Sequence, residues 1–110
     1  MSLAEKRCIP CHGDVTAFTR EQSEAYLKHL QRWSLTEDAS HIYREFTFPD
    51  FRTALTFVNH VGALAEEAGH HPDICFGWAH ASIKLWTHKI GGLHENDFIL
   101  AARIDQLPES

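Results

Sequence analysis

The order of local signals along the chain predicts an α+β fold. The expected form is a four-stranded antiparallel sheet with three helices packed on one face, in the order α-β-β-α-β-β-α. Two observations carry this. Two pairs of strand-type runs lie close enough together to form hairpins. Three amphipathic stretches with capping residues surround them and are long enough for helices. Helices that flank hairpins pack against one face of an antiparallel sheet, which gives a two-layer sandwich.

Residues 1–18 lack periodicity and are expected to form an N-terminal arm, followed by one domain over 19–110. The first helix starts at Thr19. Gln22 stands three residues later and completes a capping box. Tyr26, Leu27, Leu30 and Trp33 then recur at helical spacing. "WSLTED" (33–38) and "HIYREFTF" (41–48) are expected to pair as a hairpin through a turn at Asp38, Ala39 and Ser40. In the second run Ile42, Phe46 and Phe48 face one way, and Tyr43, Glu45 and Thr47 the other.

Asp50 follows Pro49 and caps a second helix. Its expected core stripe is Phe51, Ala54, Leu55, Val58, Val61, Ala65 and Ala68. Gly69 suits the C-terminal cap, and Pro72 cannot continue a helix. "ICFGWA" (74–79) and "ASIKLWT" (81–87) are the other two strands, with Ala81, Ile83 and Leu85 sharing a face. Ser82, Lys84 and Trp86 share the opposite face, which His88 joins if the strand stays regular. A third helix is expected from about His94 to Leu107, with Phe98, Ala101 and Ile104 on one side.

The 110 residues suffice for one small core. No Lys/Arg run accompanies the net charge of −5, which argues against nucleic-acid binding. No apolar stretch is long enough to span a bilayer. The first residues lack the apolar core of a signal peptide, so the expected compartment is the cytoplasm. Three cysteines argue against a disulfide framework. Cys8-Ile9-Pro10-Cys11 has His12 beside it but no second C-x-x-C to complete a structural zinc site. Cys75 is expected to be a small buried residue within a strand.

Histidine is the outlier, at nine residues, and "EEAGHHPDI" (66–74) places two of them together at a helix exit. An isolated pair there is more often a polar helix end than a site. Glu66, however, lies four residues before His70 and within reach of it on a helix. A carboxylate beside an imidazole fixes its tautomer and favours its charged form, which suits acid/base work. Alone, His88 carries no information, Trp78 and Trp86 suit packing or, next to histidines, the stacking wall of a flat heterocycle's pocket, and Asp97 suits a helix N-terminus. A metal site built from His70, His71, His88 and Asp97 ranks lower, because adjacent histidines rarely reach one ion.

Together these residues form a pattern. Glu66, three positions, His70-His71-Pro72, five positions, Trp78, nine positions, His88 and then Asp97 fall in the register of the pterin-4a-carbinolamine dehydratase family, which the sequence resembles over roughly 19–107. Trp33, "REFTFPDF" and "WTHKIGGL" add to the resemblance. Trp78 stands where animal members usually have tyrosine, and His94 holds a cap position where Ser or Thr is usual.

The resemblance implies an enzyme that removes water from a 4a-hydroxytetrahydropterin without metal or organic cofactor. It implies homodimers joined through their sheets, often assembled into tetramers, and a pterin-dependent aromatic amino-acid hydroxylase functionally upstream. His70, His71 and His88 are the expected catalytic residues, with Glu66, Pro72, Trp78 and Asp97 binding substrate. Glu66 is expected to tune His70. The alternative is a non-catalytic dimerisation or coactivator-type protein that retains the pocket.

Overall fold

The computed structural model describes residues 3–6 and 16–108. Cys8, Cys11 and His12, and most of the expected arm, lie outside the described residues. The sheet has four antiparallel strands: β1 (Ser34–Leu35), β2 (Ile42–Thr47), β3 (Asp73–Gly77) and β4 (His80–Leu85). Their spatial order is β1-β2-β4-β3, so β4 lies beside both β2 and β3. Three helices, α1 (Arg20–Leu27), α2 (Phe51–Ala68) and α3 (Glu95–Asp105), complete the expected order.

Alternation decides which face is covered. Ile42, Phe46, Ala81, Ile83 and Leu85 are buried, while Glu45, Thr47 and Lys84 between them are exposed. The buried side chains form one cluster with Phe57 and Val61 of α2 and Phe98, Ala101 and Ile104 of α3. Cys75 is exposed rather than buried. Its place in β3 points it to the open face, opposite Ile74 and Phe76, which pack on the core.

The helix signals act as expected at their starts. Thr19 Oγ1 accepts from Gln22 N–H at 3.2 Å, and Gln22 Oε1 accepts from Thr19 N–H at 2.8 Å. Asp50 Oδ1 accepts from Thr53 N–H at 2.8 Å. Two apolar stripes need correction. Helix α1 ends at Leu27, so Leu30 and Trp33 lie in the connection to β1, with Arg32 at φ 64°. In α2 the face on the sheet is Ala54, Phe57, Val61 and Ala65. Phe51 and Leu55 are exposed, and Phe51 stacks instead on Phe76 with ring centroids 5.5 Å apart. A stripe of about 100° holds residues at both three- and four-residue steps, and contact with the sheet selects Phe57 over Leu55.

Arg44 breaks the apolar pattern. It occupies a core-facing position of β2 and is buried, with its guanidinium 2.5 Å from Asp105 Oδ1. Asp105 also accepts from Trp33 Nε1 at 2.7 Å and from Gln31 N–H at 3.0 Å. This carboxylate therefore fastens the end of α3 to β2 and to the connection after α1. A 3-10 turn at Leu3–Glu5 packs on α3, with Lys6 Nζ 2.6 Å from Glu95 Oε2. The Lys6 ammonium holds the Glu95 carboxyl below its ordinary range. Among the described residues no helix is long and apolar enough to cross a membrane.

Removing Asp105 would leave the Arg44 charge and the Trp33 N–H without this partner inside the protein. Asp105→Ala is expected to cost about 3–5 kcal/mol of unfolding free energy, measured by urea denaturation. A loss below ~1 kcal/mol would mean that the carboxylate does not fasten these elements.

Candidate active site

The end of α2 sets the position of the histidine pair. Gly69 adopts φ 65°, a left-handed conformation that side chains with a Cβ disfavour, and turns the chain out of the helix. The His70 N–H reaches back to Ala65 O at 3.2 Å, which closes the exit. Consecutive side chains then diverge. His70 turns inward, its side chain 12% exposed, whereas the His71 side chain is 60% exposed.

His70 Nε2 lies 2.6 Å from Asp97 Oδ1, and Asp97 is fully buried. The other carboxylate oxygen accepts from Thr87 Oγ1 at 2.8 Å and from the His94 N–H at 3.0 Å. Asp97 is the third residue of α3 and His94 is its N-cap, so the carboxylate also makes the N3 half of a capping box by accepting from the N-cap N–H. Because Asp97 accepts from Nε2–H, it selects the tautomer of neutral His70 that leaves Nδ1 as an acceptor.

The pairing expected from helical spacing, Glu66 with His70, is not the one formed. Glu66 Oε2 lies 2.5 Å from His71 Nε2, in an exposed pair at the rim. The reason is local. Gly69 ends the helix before His70, so the i to i+4 alignment fails there and the next residue swings over Glu66.

His88 arrives from β4. That strand ends at Leu85, earlier than expected, and Thr87 instead bridges Gly92 across a tight loop. The Thr87 N–H donates to Gly92 O at 2.8 Å, and a 3-10 turn, His88–Ile90, fills the loop. His88 is therefore adjacent in the chain to the residue that holds Asp97, at the same end of the sheet as His70. It is exposed, and its ring stacks on Trp86 with centroids 4.2 Å apart and planes 21° apart. Trp86 meets His41 edge-on at 4.5 Å.

His41 is held by the turn between β1 and β2. Thr36 and Ser40 all direct their donors to Asp38 Oδ1, with Thr36 Oγ1 at 2.9 Å, Ser40 N at 3.1 Å and Ser40 Oγ at 2.6 Å. These bonds, the Ser40 hydroxyl first, hold the Asp38 carboxyl down at about 2.

The structure thus brings His70, His71, Pro72, His88, Asp97 and Glu66 to one end of the sheet. Trp78 is elsewhere. It is 71% exposed in the turn between β3 and β4, at the Gly77–His80 end of the hairpin, whereas the histidine pair precedes Asp73 at the other end. Thr87 and His41 escaped the sequence reading, which includes Trp86 as a packing or pocket-wall residue. A threonine late in a strand and a histidine at a turn carry no signal until their neighbours are known. Among the described residues no three His, Cys, Asp or Glu side chains group as a metal ion would need. His70 and His71 face different carboxylates rather than a shared point.

A sandwich of this topology, with two histidines held by carboxylates and a third on an aromatic face, defines a small α+β protein with a histidine- and carboxylate-lined candidate site. The chain belongs to the family described as pterin 4 alpha carbinolamine dehydratase, whose model matches residues 16–107. A protein of Halorhodospira halophila is 52% identical over 107 residues, covering 97% of this chain and 98% of its own. One of Rubrobacter xylanophilus is 52% identical over 105 residues, covering 96% and 97%. Both bear the name "Putative pterin-4-alpha-carbinolamine dehydratase". Among solved structures, a transcriptional coactivator/pterin dehydratase from Brucella melitensis matches with a TM-score of 0.76 at 28% identity, over 81% of this chain and 95% of that one. A pterin dehydratase-like protein, identified as a RuBisCO assembly factor in the alpha-carboxysome, matches with a TM-score of 0.59 at 29% identity, over 68% and 87%.

Thr87→Val keeps the shape at β4 but removes a buried donor to a carboxylate. It is expected to lower stability by about 1.5–3 kcal/mol in urea denaturation; an unchanged midpoint would show that the hydroxyl does not support Asp97. The Asp38 turn predicts a pH effect. Its depressed carboxyl stabilises the fold above the ordinary carboxylate range, and that contribution disappears as pH falls toward about 2. Side-chain carbon NMR should show Asp38 titrating near 2, and Ser40→Ala should raise the midpoint. A midpoint unmoved by Ser40→Ala would contradict the assigned cause.

Proposed function

We propose that this chain dehydrates a 4a-hydroxytetrahydropterin to the quinonoid dihydropterin, with His70 and His88 as its acid/base residues. The observation that carries this most is the His70–Asp97 pair, 2.6 Å apart on a fully buried carboxylate, at the same end of the sheet as His88. Membership of the family supports the reaction class.

The chemistry requires two proton movements. Hydroxide is a poor leaving group, so the 4a-oxygen must gain a proton as its bond to carbon breaks. The N5–H of the pterin must lose a proton, and the electron pair left on N5 forms the new C=N bond. Water and quinonoid dihydropterin result. Imidazole serves both steps because its unperturbed pKa lies near neutrality. In neutral His70, Asp97 takes the Nε2–H, so Nδ1 is the atom that meets substrate. His88 carries the second proton at the exposed side of the site. Which ring gives and which takes is set by how the pterin lies.

His71 and Glu66 form the rim and offer a donor and an acceptor to the polar edge of a pterin, which binds and orients it. Pro72 fixes the backbone after the pair. In this reading no metal or organic cofactor takes part. The protein works as a homodimer or homotetramer in the cytoplasm, downstream of a pterin-dependent aromatic amino-acid hydroxylase that releases the carbinolamine.

A second reading is a binding protein that retains the pocket. It draws on the coactivator and assembly-factor descriptions of the two structural neighbours. Kinetics separate the two. The carbinolamine is generated with a hydroxylase and quinonoid dihydropterin is followed by absorbance. Acceleration over spontaneous dehydration is expected, and its absence would leave the binding reading. The double change His70→Ala and His88→Ala should lower kcat by about 10²–10⁴-fold, the usual worth of general acid/base catalysis. Full activity in that variant would remove the assigned roles.

A further inference from the structure

The site's histidines are held in different ways. His70 rests on a buried carboxylate and His71 on an exposed one. Among the described residues, the ring of His88 has no hydrogen-bond partner, and its orientation comes from the near-parallel stack on Trp86. Trp86 is itself half-buried and braced edge-on by His41. His41 is fixed in turn, its N–H donating to Thr36 Oγ1 at 3.1 Å and its carbonyl accepting from Thr36 N–H at 3.0 Å. A supported row therefore runs from the turn between β1 and β2, past the end of β4, to His88.

A face-to-face stack differs from a hydrogen bond in one respect that matters for proton transfer. It fixes the plane of an imidazole through dispersion and the ring quadrupole, and it uses neither nitrogen. A carboxylate partner occupies one nitrogen and commits the tautomer, as Asp97 does for His70. A stacked ring keeps both nitrogens at its free edge, so one can exchange a proton with substrate while the other faces water.

The geometry points to Trp86 as a positioning residue for His88: the indole face holds the imidazole plane, with both nitrogens free, and His41 braces the indole. This rests on the reading that His88 exchanges a proton with the pterin. Trp86 acts through His88 and does not itself move a proton. Trp86 is half-buried and also packs against the core cluster, so the test needs a readout that packing alone would not move.

Two measurements test it. In the proton NMR spectrum, the ring protons of His88 should lie upfield through the ring current of Trp86 and return toward ordinary positions in Trp86→Leu. Unshifted His88 protons in the unsubstituted protein would overturn the stack. In the dehydration assay, Trp86→Leu should lower kcat about tenfold with KM changed less than about twofold, and Trp86→Phe should recover most of the rate. In a His88→Ala background, Trp86→Leu should cost almost nothing more, because residues that act as a unit are not additive. The same tenfold loss in that background would show that Trp86 acts by another route and would overturn the inference. Full activity of Trp86→Leu would remove this inference alone. No dehydration by the unsubstituted protein would remove both it and the reading on which it rests.

Discussion

One buried carboxylate joins the parts of this site. Asp97 accepts from His70, Thr87 and the His94 backbone, and so ties the exit of α2, the end of β4 and the start of α3 to a single point. A carboxylate away from water is costly unless its oxygens are satisfied, and here both are. The same bonds that offset the burial also fix the geometry. If Asp97 moved, α3 would lose one half of its capping box, the loop after β4 its anchor, and His70 its orientation. Stability and site geometry are coupled through one side chain.

The rest of the fold holds that point still. At the far end of α3, Asp105 gathers Arg44 from β2 and Trp33 from the connection after α1. A carboxylate near each end of α3 thus fixes the helix to the sheet and its connections, while Phe98, Ala101 and Ile104 fill the space between. The two acids differ in consequence. Asp105 faces a permanently charged guanidinium and serves architecture. Asp97 faces an imidazole, the ring that exchanges a proton with substrate in the proposed function.

Much of this was legible in the sequence where one residue type has one physical use. Thr19 with Gln22, Asp50 before an apolar stripe, and Gly69 before Pro72 mark helix ends because few other residues do that work. Alternation over 42–48 and 81–85 gave the buried face of the sheet. The misreadings share a cause, which is that partners distant in sequence decide them. Phe57 displaced Leu55 from the core because the sheet selects among near-equivalent helix positions. Arg44 could enter the core because Asp105 awaited it. Glu66 was assigned to His70 by helical spacing, and Gly69 had already broken that spacing. The motif names Glu66, His70, His71, His88 and Asp97 together and the fold brings them to one end of the sheet, yet spacing could not say which acid holds which base. Trp78 fits the motif's spacing although the hairpin carries it to the opposite end of β3.

In the proposed reaction Asp97 sets the working tautomer of His70, and Asp97→Asn tests this with little change of shape. Thr87 and the His94 N–H both donate at Oδ2, so the new side chain must place its carbonyl there and turn its NH2 toward His70 Nε2. His70 would then accept at Nε2 and carry its neutral-state proton on Nδ1, the wrong atom for the assigned role. Nitrogen NMR of the His70 ring, read beside single-turnover dehydration, measures both halves. The expected results are an Nε2–H tautomer in the unsubstituted protein, an Nδ1–H tautomer in Asp97→Asn, and a rate lowered by about 10²–10⁴-fold, on the scale of the misplaced-tautomer effect in a catalytic triad. An Nδ1–H tautomer in the unsubstituted protein, or a variant that switches tautomer and keeps its rate, would contradict this role of Asp97.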